Sequence, residues 1–340
     1  MTQGGRARKL ALSDEDLPMK TAFLSALGMM GRRHLKGLVR AGFLVSAYDV
    51  NDGLEETVRK ELLAAGLPAD RVKFPREIPS GDFDVAVFAE TTVSRLANFQ
   101  RFLSSGKAAR ILVEKPMSAD PEEVRAFQAI AEERGVAGST QVNFVRRHWP
   151  HLHRLAERCA LEEKFTVTLN GGAVGLGCMG IHYLDTFLAL SGDEVPDVTW
   201  SELSKTLVAS GRGAIFTDFG GDFVLSGRRA RLLASLEAGS SANVLMSVRG
   251  ANFLAQVDYT DMRWKISSRK PDSVLPNYRY GADYVVEEEG PVNVPAMDAI
   301  THDWALGLIE LPGLAQALKT HDLLDRILQA GGARPPYQYT

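Results

Sequence analysis

The chain has 340 residues, 45% apolar and 24% charged, the make-up of about two globular domains with sizeable cores, which excludes a globally disordered chain. Its 39 basic and 42 acidic residues leave a net charge of only −3, so no broad surface for nucleic acid is implied. No apolar run approaches the ~18 residues of a membrane span, and two cysteines, Cys159 and Cys178, cannot build a disulfide framework.

In chain order, residues 1–19 read as a flexible N-terminal arm without the apolar core of a secretory signal, so a cytoplasmic protein with no membrane contact is expected. From Lys20 the pattern changes. TAFLSA reads as a buried strand, MGRRHLKGLVRAG as a helix, LVSAYDV as a strand and GLEETVRKELLAAG as a helix. DVAVFAE, RILVEK and VAGSTQVNF continue as strands, separated by the helices TTVSRLANFQRFLSSG and PEEVRAFQAIAEERG. Such alternation predicts right-handed crossovers and a parallel sheet covered on both faces, over residues 20–143. Residues 144–340 form a second unit. The stretch WPHLHRLAERCALEE is helical, FTVTLNGG is a strand, and CMGIHYLDTFLALSG is helical again. Residues 198–286 are strand-rich with Gly-containing turns, which predicts a large, mainly antiparallel sheet. The C-terminal stretch returns to helix, including ELPGLAQALKTHDLLDRIL with Pro312 near its start and a structural His321. The fold class is therefore α/β: a Rossmann-type dinucleotide-binding domain followed by an α+β domain with a large open sheet.

The first strand runs into Ala26-Leu27-Gly28-Met29-Met30-Gly31, an A-x-G-x-x-G variant of the dinucleotide fingerprint. Gly28 lets main-chain N–H groups approach a pyrophosphate, and Gly31 lets helix and strand pack closely. The opening helix offers unpaired N–H donors and a positive dipole end to the anion. Ala26 stands at the first glycine position, so the turn must accommodate a Cβ. Asp49 ends the second strand 18 residues after Gly31, where a carboxylate accepts from a ribose hydroxyl and repels a 2′-phosphate. Val50 and Asn51 follow instead of an arginine, so NAD is favoured over NADP.

Farther on, ILVEKPM sets Glu114, Lys115 and Pro116 at the carboxyl end of a strand, the edge at which open α/β sheets bind ligands. Proline restricts the backbone of Lys115. Two readings stand for that lysine: a surface residue before a loop, or an ammonium that stabilises charge on a reacting oxygen. His148, His151 and His153 invite a metal site, but no carboxylate or thiol completes one at tight spacing, so no metal is expected.

Taken together, ALGMMGRRHL, Asp49, EKP, NFVRRHWP and GIHYLD resemble the glucose–fructose oxidoreductase / inositol dehydrogenase (Gfo/Idh/MocA) family over about Lys20–Asp185. The resemblance implies NAD-dependent hydride transfer to or from a sugar, sugar nucleotide or polyol. It also implies a homodimer or homotetramer assembled through the C-terminal sheet. It places Ala26, Gly28, Met29, Met30, Gly31, Asp49, Thr91, Glu114 and Lys115 around the cofactor, with Lys115 polarising the substrate and His182 exchanging its proton. Arg146, Arg147 and Asp185 fall on the substrate side, where an arginine suits an anionic substrate such as a sugar nucleotide; a solvated basic face is the other reading of the arginines, and Asp185 is read as a structural hydrogen-bonding group rather than a catalyst. Where relatives have Pro and His after the fourth strand, this chain has Thr91 and Arg95. Thr91 and Thr92 are read as possible cofactor contacts, Arg95 as a phosphate contact or a solvated side chain. Cys178 stands where the family has Asp, four residues before His182 and so on one helix face with it. Three readings follow: Lys115 and His182 suffice, Cys178 acts as a thiolate partner, or activity has faded. An NAD-recycling lyase and a non-catalytic NAD- or sugar-binding protein are the alternatives to a dehydrogenase. The texture Cys-x-x-x-His with ELP…H…LL also resembles relatives in surface-polysaccharide sugar metabolism.

Overall fold

The computed structural model describes residues 19–172, 174–210, 212–213, 215–237, 240–276 and 283–340. The expected N-terminal arm, up to residue 18, lies outside the described residues.

The apolar run after Lys20 forms β1 (Thr21–Ser25), whose Ala22, Phe23 and Leu24 are buried, as a central parallel strand covered on both faces requires. Then follow α1 (Met29–Arg40), β2 (Leu44–Tyr48), α2 (Glu55–Ala64), β3 (Val72–Lys73), β4 (Gly81–Phe88) and α3 (Arg95–Ser105). The unit continues with β5 (Gly106–Val113), α4 (Pro121–Glu133) and β6 (Thr140–Val142). All six strands pair in parallel in the order β3-β2-β1-β4-β5-β6. This doubly wound order reverses direction between β1 and β4, opening a crevice at their carboxyl ends. The start of α4 follows from its sequence: the Asp120 carboxylate accepts from the Glu122 N–H at 2.9 Å, and Pro121 occupies the first turn. The two-residue β3 is absent from the sequence expectation because it is too short to show a period.

The second unit contains α5 (Pro150–Ala160), β7 (Phe165–Gly172), a π-helical turn (Leu176–Gly180) and α6 (Ile181–Ser191). Next come β8 (Asp197–Leu203), β9 (Val208–Ala209), β10 (Thr217–Asp218), β11 (Gly221–Ser226), β12 (Ala230–Glu237) and β13 (Leu245–Arg249). The chain ends with β14 (Phe253–Asp258), β15 (Arg263–Arg269), β16 (Tyr284–Pro291), α7 (Met297–Ala305) and α8 (Leu314–Ala330). Eight of these strands form one sheet, β16-β15-β14-β13-β7-β12-β11-β8, antiparallel at every seam except β7–β12. The fold class is the expected one, a Rossmann-type unit and an α+β unit with a large open sheet. Side chains alternate strictly on β11 and β12, so one face shares a core with α5, α6 and α8 while the other is open.

The two units interlock. Trp304 of α7 is fully buried in the core of β1, β2 and α1, not in that of the large sheet. A Cβ on Gly37 would stand 2.5 Å from the Asp298 carbonyl oxygen, so α1 and α7 meet almost backbone to backbone.

Candidate functional site

At the β1–α1 turn, Ala26 adopts φ of +75°, the left-handed conformation that a first glycine would supply without strain. A Cβ on Gly31 would lie 1.9 Å from the Ala26 carbonyl oxygen, so Gly31 serves this backbone contact and does not itself line the crevice. Gly28 has open space where its Cβ would be, and it borders a cavity of about 500 Å³. Ala26, Met29, Met30, Asp49 and Thr91 line the same cavity, together with Glu90, Asn98 and Arg212. A cradle of exposed backbone at a helix N-terminus, facing open space, fits a dinucleotide pyrophosphate. Asp49 is also pinned to the turn, accepting from the N–H groups of Leu27 at 2.6 Å and Asn51 at 2.8 Å.

Glu90 was not anticipated. It sits just past β4, at the strand-end position from which ligand contacts arise, and that rule alone would have found it. Burial pushes its carboxyl up to about 7, against hydrogen bonds from Ser25 and Asn98. Its Oε2 has no partner. Arg212 arrives from a Gly-rich loop and carries no sequence signal.

Three expectations are corrected here. Glu114 turns away from the cavity: its carboxylate is bonded to His34 at 2.9 Å, to Asn143 at 2.6 Å and to the Lys115 N–H at 3.0 Å, inside the packing of α1 against β5. Arg95 is not a solvated side chain; at 1% exposure its guanidinium is turned inward and donates to the carbonyls of Glu90, Pro116 and Met117. Thr92 faces the C-terminal segment, with its N–H on the Thr340 hydroxyl and its own hydroxyl on the Tyr339 carbonyl.

Lys115 is buried, and its peptide bond to Pro116 is cis. Its Nζ donates to the Cys178 carbonyl oxygen at 2.8 Å. Burial pulls this amine below the ordinary lysine range, against the attraction of Cys178 and Glu114. Burial also lowers His182 well below the usual imidazole range, and the charges of Lys115 and Arg146 add to that effect. His182 is therefore neutral near pH 7, and its Nδ1 has no partner. The helical run expected from Cys178 to His182 is unbroken, but it is not α-helical throughout. Leu176–Gly180 is a π turn, and α6 begins at Ile181, so the i to i+4 alignment does not apply.

His182 and Arg146 line a second cavity of about 510 Å³ with Arg33, Lys36, Trp149 and Met179. The Arg146 guanidinium lies 4.1 Å from the ring centre of Tyr183 and 5.0 Å from that of Trp149, while its Nη1 has no partner. Arg147 and Asp185 do not reach this cavity. They pair with each other at 2.8 Å, and the half-buried Arg147 also pairs with Asp193 at 2.9 Å, because the buried Asp185 charge needs a partner. The three histidines diverge: His148 bonds the Glu310 carbonyl, His151 is buried beside Tyr259, and His153 pairs with Glu157. Among the described residues, no three His, Cys, Asp or Glu side chains gather as a metal site, and no helix is long and apolar enough to cross a membrane.

The architecture defines a class: a doubly wound α/β unit, with its crevice at the β1–β4 switch point, joined to an open-sheet α+β unit. At the level of the fold this is the Gfo/Idh/MocA arrangement. The chain is similar to the super-repressor mutant of Gal80p from Saccharomyces cerevisiae, at 13% identity and TM-score 0.70, over 93% of this chain and 96% of that one. It is similar to UDP-N-acetylglucosamine 3-dehydrogenase from Acidithiobacillus ferrooxidans, at 18% identity and TM-score 0.65, over 92% and 97%. It is also similar to an NAD-binding protein from Listeria innocua, at 16% identity and TM-score 0.65, over 92% and 95%. No protein-family model matches the sequence, and no curated protein matches it. At these identities the likeness is one of fold.

Proposed function

We propose that this protein is an NAD-dependent oxidoreductase acting on a CH–OH group of an anionic carbohydrate, with a sugar nucleotide as the favoured class. The observation that carries the reading is that Lys115, just past β5, donates from Nζ to the Cys178 carbonyl in the turn that leads into α6, where His182 borders a cavity with Arg146. The dinucleotide fingerprint lines a cavity of its own, with Gly28, Asp49 and Thr91. Ala26, Gly28, Met29, Met30 and Thr91 would hold the pyrophosphate and Asp49 the ribose; the bound nicotinamide supplies the hydride acceptor or donor. The cavity that Asp49 shares with Asp52 and Glu55 also holds Arg76, which is paired with Asp52, so the preference for NAD over NADP rests on Asp49 alone.

Lys115 polarises the substrate oxygen, and its depressed proton affinity makes it a better hydrogen-bond donor. Neutral His182 exchanges the hydroxyl proton. Arg146, with Arg33 and Lys36, meets a phosphate on the substrate, for which the unpartnered Nη1 of Arg146 is suited. The dehydrogenase from Acidithiobacillus ferrooxidans, with its sugar-nucleotide substrate, lends support by fold. On the open sheet face, Trp200, Val224 and Leu233 fall in one cross-strand row and support a homodimer or homotetramer built on this surface, to be read by sedimentation.

The test is NAD reduction against a panel of sugars, sugar phosphates and UDP-sugars. The expected result is turnover that falls by about 100-fold or more in Lys115→Met and His182→Ala. A second reading, a non-catalytic binding protein, draws on Cys178 at the family's acid position and on the likeness to Gal80p. NADH binding without turnover of any panel member would decide for it.

A further inference from the structure

Cys178 occupies a position at which an acid would be expected, yet a carboxylate does reach this turn from elsewhere in the chain. Asp218, on β10, is 2% exposed. Its Oδ1 accepts from the Gly177 N–H at 2.8 Å, and its Oδ2 accepts from the Cys178 N–H at 2.7 Å. The Phe219 N–H also donates to Oδ1 at 2.8 Å, which fixes the carboxylate itself. Two glycines make room for this arrangement. A Cβ on Gly175 would stand 2.1 Å from Asp218 Oδ2, and one on Gly177 would stand 2.1 Å from the Tyr339 ring. The turn clamped in this way presents the Cys178 carbonyl to the Lys115 ammonium at 2.8 Å. The carboxylate and the ammonium are thus joined through one residue of main chain.

We propose that Asp218 is the positioning acid of this site, holding the Leu176–Gly180 turn so that the Cys178 main-chain carbonyl is a fixed acceptor for Lys115. The inference rests on reading Lys115 as the working amine. A buried ammonium needs a fixed acceptor and a compensating charge, and a thiol is a weak acceptor. Asp218 fixes the carbonyl acceptor through the backbone, and its carboxylate attracts the Lys115 ammonium. The role is one of positioning, since the Asp218 carboxylate is occupied by three N–H groups.

The test reads the proton affinity of Lys115. Lysine labelled with ¹³C at Cε, assigned with Lys115→Arg, gives its titration midpoint in the wild type and in Asp218→Asn. The other titratable groups around Lys115 are Cys178, Glu114 on its own segment, Arg146, His182, Arg212 and His321. They are the same in both proteins. The expected result is a midpoint at least about one pH unit lower in Asp218→Asn, a tenfold loss of proton affinity, with NADH affinity unchanged within about twofold. An unmoved midpoint in the folded variant overturns the proposal, even if NADH binds normally. A lowered midpoint in a protein that binds no NADH would uphold Asp218 and remove the proposed function instead. A measurement on the wild type serves if the variant does not fold: the Gly177 and Cys178 amide signals and the Lys115 Cε signal must report one shared transition. Independent midpoints contradict the proposal.

Discussion

His34 Nε2 lies 2.9 Å from the carboxylate of Glu114, with both side chains interior, and this contact ties α1 to the strand end that carries Lys115. His34 Nδ1 is in turn 2.8 Å from the Thr301 hydroxyl on α7, so a single imidazole links three elements behind the cleft. Burial alone would push Glu114 up, but the His34 hydrogen bond and nearby positive charges hold it down to about 2.

A carboxyl depressed in the folded state contributes stability above its unfolded value and loses it as the pH falls toward 2. His34→Leu is therefore expected to cost about 3 kcal/mol at neutral pH, with the gap to wild type narrowing by about pH 3. Urea unfolding at the two pH values checks this; a pH-independent gap contradicts it.

Arg95 braces the turn after β5. In Arg95→Ala the carbonyls of Glu90, Pro116 and Met117 lose their donor inside the core. The expected loss is about 4 kcal/mol, at roughly 1–3 kcal/mol for each unpaired buried group. Arg95→Lys recovers less than half, since an ammonium cannot reproduce the fork. Chemical denaturation reads both.

Glu90 makes dinucleotide affinity depend on pH. Its carboxyl, raised to about 7 by burial, is neutral below that value and charged above it, beside the place proposed for a pyrophosphate. NADH affinity should fall several-fold between about pH 6 and pH 8, and Glu90→Gln should flatten the profile. The stability effect has the opposite sign from that of Glu114. A raised carboxyl contributes stability below its unfolded value and loses it as the pH rises through 7, so Glu90→Gln gains on wild type by up to about 3 kcal/mol toward pH 8.

Ala26 carries a left-handed backbone in a residue that disfavours it. Ala26→Gly should relieve about 1–2 kcal/mol of strain against a smaller unfolded-state entropy term, raising the melting temperature by a few degrees. A lower melting temperature contradicts that account of the turn.

The parts of the fold and site that could be read from sequence are those built from neighbours along the chain. The β1–Gly28–α1 turn, the acid at Asp49 and the strand end at Lys115 are local patterns, and each falls where the pattern placed it. The parts that escaped depend on pairing between distant segments. Glu114 turned inward because His34, 80 residues away, meets it. Arg147 and Asp185 neutralise each other across 38 residues. Asp218 lies 40 residues beyond the turn that it clamps, and nothing around it in the sequence marks it as part of a site. The π turn also defeated the helical spacing between Cys178 and His182, because one wider turn shifts every later side chain around the axis.

The most direct test of the account is a titration of the wild-type protein with NADH, followed by nicotinamide fluorescence. The account predicts saturable binding at one site per chain with an affinity on the order of micromolar, weakened at least about tenfold by Asp49→Ala. A folded protein that shows no saturable binding of NADH or NAD would contradict it.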